Sequence, residues 1–314
     1  MKKIRSWLII LLSIIGINNK LISQNSEITV KAERKQDKTV DISYSKNVPG
    51  SYYLKVNFTQ LENCYPSKFE GVIKNTTGNL LKLSPINKEL NINFSYTYSF
   101  IRGNPNPKVN ESFLYILPFK KGDSVKILES TQLSEKYFDA EKDSHWKSFI
   151  VNRKNADTIY CMRKGIVVEI KDDFKPETFD YTYTSKLNRI VVEHDDGTVA
   201  RYIGFNKDLI TVKLGQTVYP QSKLGVLELF DNELYRLYFD VSFLKEIDFN
   251  ELKNLNLKSE SQSEHINPYF FSKEGGLQLV GSKDYVVEFD EALFFEEFSK
   301  REKKMYAKNP LDFK

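Results

Sequence analysis

Three histidines (His145, His194 and His265), two cysteines and a few short runs of carboxylates carry whatever acid–base, nucleophilic or metal chemistry this 314-residue chain can perform. Cys64 and Cys161 lie far apart, and neither has a ligand-type neighbour at metal spacing, which argues against a thiolate zinc site. Cys161 falls in a strand-like run, where a buried free thiol is common. Asp143, Ser144 and His145 are sequence neighbours and cannot face one another as a hydrolytic triad must. Asp172 with Asp173, and Asp195 with Asp196, lack the rest of a calcium loop and read as solvated turns. His194 ends a strand-like run beside Asp195 and reads as a solvated hairpin residue, while His145, next to Trp146 in a charged stretch, reads as surface. Arg236, Tyr238 and Asp240 alternate along another such run, so a strand would place all three on one face. Arg236 has a fixed charge and cannot be an acid or base near neutral pH. Opposite Asp240 it is expected to form an ion pair along the strand face.

The elements that must position these residues read mainly as strands. Between Glu27 and Phe100, apolar residues alternate with polar ones, as in Ile28, Val30 and Ala32 or Val40, Ile42 and Tyr44. Pro49 with Gly50, Pro66, and Gly78 with Asn79 supply turns between them, and the pattern predicts a β-sandwich over 24–101. The Gly-, Pro- and Asn-rich stretch 102–112 reads as a linker. A second unit, 113–288, alternates strands with a charged loop from Ser130 to Lys154, a hairpin around Asp196 and Gly197, and a polar stretch from Lys245 to Glu264. The last segment, 289–314, reads as a helix whose apolar face holds Phe289, Leu293, Phe294 and Phe298. Lys2, Lys3 and Arg5 precede an apolar run from Leu8 to Ile17, and Ser23 follows, a pattern that predicts a cleaved secretory signal over 1–23 and an exported protein. The chain holds 46 Lys and Arg against 42 Asp and Glu. Four of the cations lie in those first residues, which contain no acid, so the remainder is balanced and lacks the basic excess of a nucleic-acid protein.

Four segments in order give the second unit a family likeness. Thr158 to Cys161 with Lys164 to Val167 match a GTPVYAxxxGxV-type opening. Arg189 to Tyr202, RIVVEHDDGTVARY, matches an N-x-V-x-I-x-H-x-DG-x-x-x-x-Y hairpin. Val212 to Gly225, VKLGQTVYPQSKLG, matches V-x-x-G-Q-x-V-x-x-G-x-x-I-G, and Tyr235 to Val241 stands where an HLHFEV strand would. The region resembles the M23 metallopeptidases of the LytM and lysostaphin type, zinc enzymes that cut peptide cross-links in bacterial cell walls. The likeness implies an all-β protein, an N-terminal β-sandwich followed by a LytM-type antiparallel β domain and a short C-terminal helix.

Such a zinc site needs three protein ligands and an open position for water. In the family these are the His and Asp of an H-x-x-x-D motif and the second His of HLH, with further catalytic histidines two residues earlier and in a Y-x-H turn. Arg236, Leu237 and Tyr238 replace HLH, Tyr202, Ile203 and Gly204 replace Y-x-H, and four residues beyond His145 stands Phe149. The resemblance therefore implies a zinc-free domain in which His145, His194, Tyr202, Arg236, Tyr238 and Asp240 line a former cleft as recognition residues. Its expected partners are peptidoglycan or a cell-wall hydrolase. The alternatives are an active zinc peptidase using displaced ligands (His145, His194, and Glu193 or Asp240) and a structural role in which the C-terminal helix packs over the groove.

Overall fold

The computed structural model describes residues 27–129, 147–176, 186–245 and 263–313. The leader expected over 1–23 and the candidate His145 lie outside them.

Two three-stranded antiparallel sheets form the first unit. One joins β1 (Ile28–Arg34), β2 (Val40–Lys46) and β5 (Thr77–Leu83), and the other sets β3 (Tyr52–Glu62) between β4 (Lys68–Ile73) and β6 (Asn93–Arg102). Period-two alternation turns Val40, Ile42 and Tyr44 inward to meet Leu54 and Val56, giving the expected sandwich core. Tyr96 and Tyr98 donate across the sandwich to the carbonyls of Val30 and Ile28 (3.1 and 3.3 Å), tying the sheets together at an edge strand.

The second unit centres on an eleven-stranded sheet. Its main path runs β14 (Thr217–Val218), β11 (Gly165–Lys171), β12 (Asn188–Glu193), β13 (Val199–Ile210), β16 (Tyr235–Leu244), β9 (Phe149–Arg153), β8 (Ser124–Glu129) and β20 (Lys283–Val286). β10 (Thr158–Tyr160), β15 (Lys223–Leu227) and β17 (Ser263–His265) attach to it, and β7 (Leu114–Tyr115), β18 (Tyr269–Ser272) and β19 (Gly275–Gln278) make a small separate sheet. Leu237, Phe239 and Val241 of β16 point into one core with Phe149, Val151, Val192 and Phe270. The motif-bearing segments thus become neighbours: the RIVVEHDDGTVARY stretch is the β12–β13 hairpin, and β16 lies against it. The chain is all-β with two short helices among the described residues.

Three expectations need correction. Phe149–Arg153, placed in the charged loop, is a buried central strand between β16 and β8; five residues were too few to stand out from charged flanks. Ser263–His265, placed in the polar stretch, pairs with the end of β16. The single C-terminal helix is two, α1 (Glu291–Phe294) and α2 (Lys300–Lys308), followed by a 3-10 turn over Pro310–Phe313. Ser299 breaks it by forming a capping box: its hydroxyl accepts from the Glu302 N–H and Glu302 accepts from the Ser299 N–H. The aromatic face nevertheless packs at home. Phe294, Phe298 and Phe313 cluster with Tyr219 and Tyr306.

The stretch 102–112 is pinned rather than free. Gly103 donates to the Ser51 carbonyl, Pro105 is buried, and Lys108 donates to the carbonyl of Asp196 at the hairpin tip. Buried Glu193 accepts from both the N–H (2.8 Å) and the hydroxyl of Ser51, while Arg102 reaches Glu169 at 2.8 Å. These contacts seat the sandwich against β11 and β12.

Candidate functional site

Strand register decides which candidate residues meet. Arg201 lies opposite Asp240 and Ile203 opposite Tyr238 across β13 and β16, while Arg236 faces Asn152 and Tyr238 faces Ile150 across β16 and β9. Arg236, Tyr238 and Asp240 therefore share the sheet face away from the core, as alternation predicts. Asn152, Ile150, Arg201 and Ile203 join them, residues that motif matching did not single out. Period-two reading of TVARYIG from Val199 would have found Arg201 and Ile203.

On this face Arg236 is held by three neutral groups. Its Nε donates to Asn152 Oδ1 at 2.8 Å, its Nη1 donates to the Tyr238 hydroxyl at 3.3 Å, and its guanidinium lies 4.0 Å from the centroid of the Phe230 ring. The ion pair expected between Arg236 and Asp240 does not form. Asp240 is only 3% exposed and accepts from Arg201 Nε at 2.9 and 3.1 Å, with His265 Nδ1 3.7 Å away. The cross-strand neighbour wins because it stands directly opposite, whereas Arg236 is four residues away along the same strand. Burial raises the Asp240 pKa above the usual carboxylate value, with Arg201 and then His265 pulling the other way.

Tyr202 is not a groove residue. It is 0% exposed, pairs with Phe239 on the core side, and donates from its hydroxyl toward Cys161 Sγ while accepting from the Met162 N–H at 2.9 Å. Burial raises its pKa well above the ordinary phenol value. Cys161 and Cys64 are both free, and burial lifts the Cys161 thiol to about 12, so it is inert as a nucleophile. His194 is not solvated either. It is 1% exposed, packs edge-on to Tyr115 with ring centroids 5.9 Å apart, and shares its Nδ1 hydrogen with the Lys164 carbonyl at 2.8 Å. The hairpin tip folds back onto the domain: Asp196, expected in a solvated turn, accepts from buried Arg163 at 2.8 Å, and Arg163 in turn holds Glu297. His194 therefore lies beneath the hairpin and away from Arg236, and the five candidates among the described residues do not assemble into one site.

The position of the family's turn histidine is closed to any side chain. Gly204 has φ +121°, and a Cβ there would sit 2.1 Å from the Arg236 carbonyl oxygen. The hollow beside it, bordered by Phe174, Asn188, Phe230 and Arg236, holds about 10 Å³, room for about one water. A zinc ion is not fitted by these residues: a stacked guanidinium, a phenol and a bare glycine replace imidazoles, Asp240 is locked to Arg201, and Glu228 stands alone at the hollow with its oxygen taken by Asn206 and the Leu229 N–H. Among the described residues no group of three His, Cys, Asp or Glu side chains is placed to hold a metal. A larger cavity, about 470 Å³, lies where the sandwich meets β11 and the C-terminal segment. The charged groups on its wall are mostly spent on each other, Glu193 on Ser51, Lys164 on Glu302 and Glu297 on Arg163.

No family model matches the sequence, and no curated protein matches it. Among solved structures, the chain is similar to a zinc-containing peptidase from Vibrio cholerae (13% identity, 69% of this chain and 75% of that one, TM-score 0.31). It is also similar to a protein assigned to peptidase M23 from Pseudomonas aeruginosa (13% identity, 62% and 89%, TM-score 0.28) and to Csd3 from Helicobacter pylori (11% identity, 91% and 78%, TM-score 0.32). Likenesses this loose carry no argument about activity, and the M23 resemblance rests on the motifs and on where the strands place them.

Proposed function

We propose that the chain is an exported, non-catalytic protein of the cell envelope whose M23-like domain binds peptidoglycan on the face bearing Arg236 and Tyr238. The observation that carries this reading is the substitution of the chemical positions, combined with retention of the strands that hold them. Arg236 is stacked on Phe230 and Gly204 has no room for a side chain, so the histidines that would hold a metal and carry a proton in the family pattern have no counterpart there. The surrounding face keeps half-exposed Tyr, Arg and aliphatic side chains, residue types suited to recognition. The basic and apolar pattern of residues 1–23 supports export. Among the described residues no helix is long and apolar enough to cross a membrane. A displaced zinc site has less support: the His194 ring is buried and tied to Lys164, and Asp240 is engaged by Arg201.

Co-sedimentation of the purified chain with sacculi tests the proposal. Retention without release of wall peptides is expected. Absence of retention, or chelator-sensitive release of peptides, overturns it, and so does exclusive capture of a cell-wall hydrolase from envelope extract.

A further inference from the structure

Arg236 is the unusual charge on the exposed sheet face. Lys126, Lys171, Arg189 and Arg201 share that face by register, against Glu169, Glu193, Asp240 and Asp284. The pairings are specific: Arg189 Nε donates to Glu169 at 2.6 Å and Arg201 Nε to Asp240 at 2.9 Å. Arg236 has no carboxylate partner among the described residues. Glu228 borders the same hollow, but its carboxylate accepts from the Asn206 side chain and the Leu229 N–H and makes no ion pair with Arg236. Two other cations of this face make no ion pair among the described residues: Lys171 stands three strands away, roughly 14 Å at ordinary strand spacing, and Lys126 of β8, two strands away, faces Asp284 of β20.

The guanidinium is also pre-oriented. Asn152 takes the Nε hydrogen, Tyr238 one Nη1 hydrogen, and Phe230 covers one face of the plane. Three N–H donors remain, one on Nη1 and two on Nη2, enough to meet the two oxygens of a carboxylate. Because the holding groups are neutral, the charge is preserved and the rotamer cost of forming a bidentate pair is already met by the fold. Beside it, Tyr238 with Ile203 and Ile150 offers an aromatic and aliphatic shelf.

We propose that this face is a receptor for the free C-terminal carboxylate of a peptide, with Arg236 as the carboxylate fork and Tyr238, Ile203 and Ile150 as the seat for the last side chain. One fork held by neutral groups suits a single carboxylate; a run of acidic residues or a polyanion would need several adjacent open cations. The proposal rests on the non-catalytic groove reading and names the chemistry that groove selects.

The test compares N-acetyl-trialanine with a free carboxylate and the same peptide as its C-terminal amide, titrated into the full chain and followed by amide NMR shifts. The acid is expected to bind at least tenfold tighter than the amide, with shifts centred on Arg236, Asn152 and Tyr238, and to weaken in high salt. Arg236→Gln should abolish the preference while Lys171→Gln leaves it intact. Equal response to acid and amide in the wild-type chain overturns the inference without any variant, and so does a preference that survives Arg236→Gln. Sacculi retained equally by wild type and Arg236→Gln would remove this inference and leave peptidoglycan binding standing. An acid preference without sacculus retention would do the reverse.

Discussion

His194 makes folding of this chain sensitive to mild acid. Its ring is 1% exposed, Nδ1–H is committed to the Lys164 carbonyl, and buried Arg163 places a positive charge nearby. Burial first, and Arg163 second, depress its pKa from 6.5 to about 3, while the Lys164 bond and Asp196 oppose them. The folded chain thus refuses a proton that the unfolded chain accepts. Its contribution is fully present above the unfolded value of 6.5 and is lost as pH falls from there toward 3. At pH 5 the unfolded imidazole is about 1.5 pH units below its own pKa, which corresponds to a loss of about 2 kcal/mol relative to pH 7.5. His194→Asn keeps a donor near the Nδ1 position and removes the titration. Urea unfolding of both proteins at pH 7.5 and pH 5 isolates the effect, because carboxylates common to both cancel in the difference. The variant is less stable at pH 7.5, but the wild type should lose about 2 kcal/mol more than the variant on acidification. Identical losses, or a His194 ring resonance that titrates near pH 6.5, would refute the burial argument.

Two further perturbations probe the scaffold. Gly204→Ala and Gly204→His should both destabilise the chain by about 4 kcal/mol or more in urea unfolding, and by similar amounts, because the collision with the Arg236 carbonyl occurs at Cβ whatever lies beyond it; a well-folded Gly204→His protein would contradict the account of why this position is bare. Glu193→Ala leaves the Ser51 N–H and hydroxyl buried without their acceptor, at a cost of about 2–4 kcal/mol, and should split a single calorimetric unfolding transition into two as the sandwich uncouples.

The sequence was legible where a local pattern and the tertiary environment agree. Alternation in Val40, Ile42 and Tyr44 predicts the sandwich because each inward residue meets an apolar partner in the opposite sheet. The Asp196–Gly197 turn predicts its hairpin because Gly197 takes φ +92° there. It failed where non-local partners decide. His194 and Asp196 read as solvated because a polar turn usually is, but Arg163, over 30 residues earlier in the chain, draws Asp196 under cover along with Glu297 from the C-terminal segment, and Tyr115 and the Lys164 carbonyl take in His194. Tyr202 was placed in the groove by a motif whose later residue is a glycine with positive φ. In the structure its phenol ring instead fills the core beside Cys161. The missed helix break had a local signal, the S-x-x-E of Ser299 to Glu302, hidden by the continuity of the aromatic face.

The replaced residues of the face are coupled to one another through geometry. Gly204 has no room for a side chain because the Arg236 backbone passes where a Cβ would stand, and the Arg236 side chain is fixed by Asn152 of β9 and Phe230 of the preceding loop. Restoring one histidine would therefore meet a backbone already closed against it, and replacing Arg236 alone would leave Gly204 unable to accept a side chain. A histidine at position 204 requires at least a shift of β16 relative to β13. The obstacle to a side chain at Gly204 lies in the backbone of the sheet, and the same stretch of β16 carries the Arg236 guanidinium that Asn152 and Phe230 hold in place.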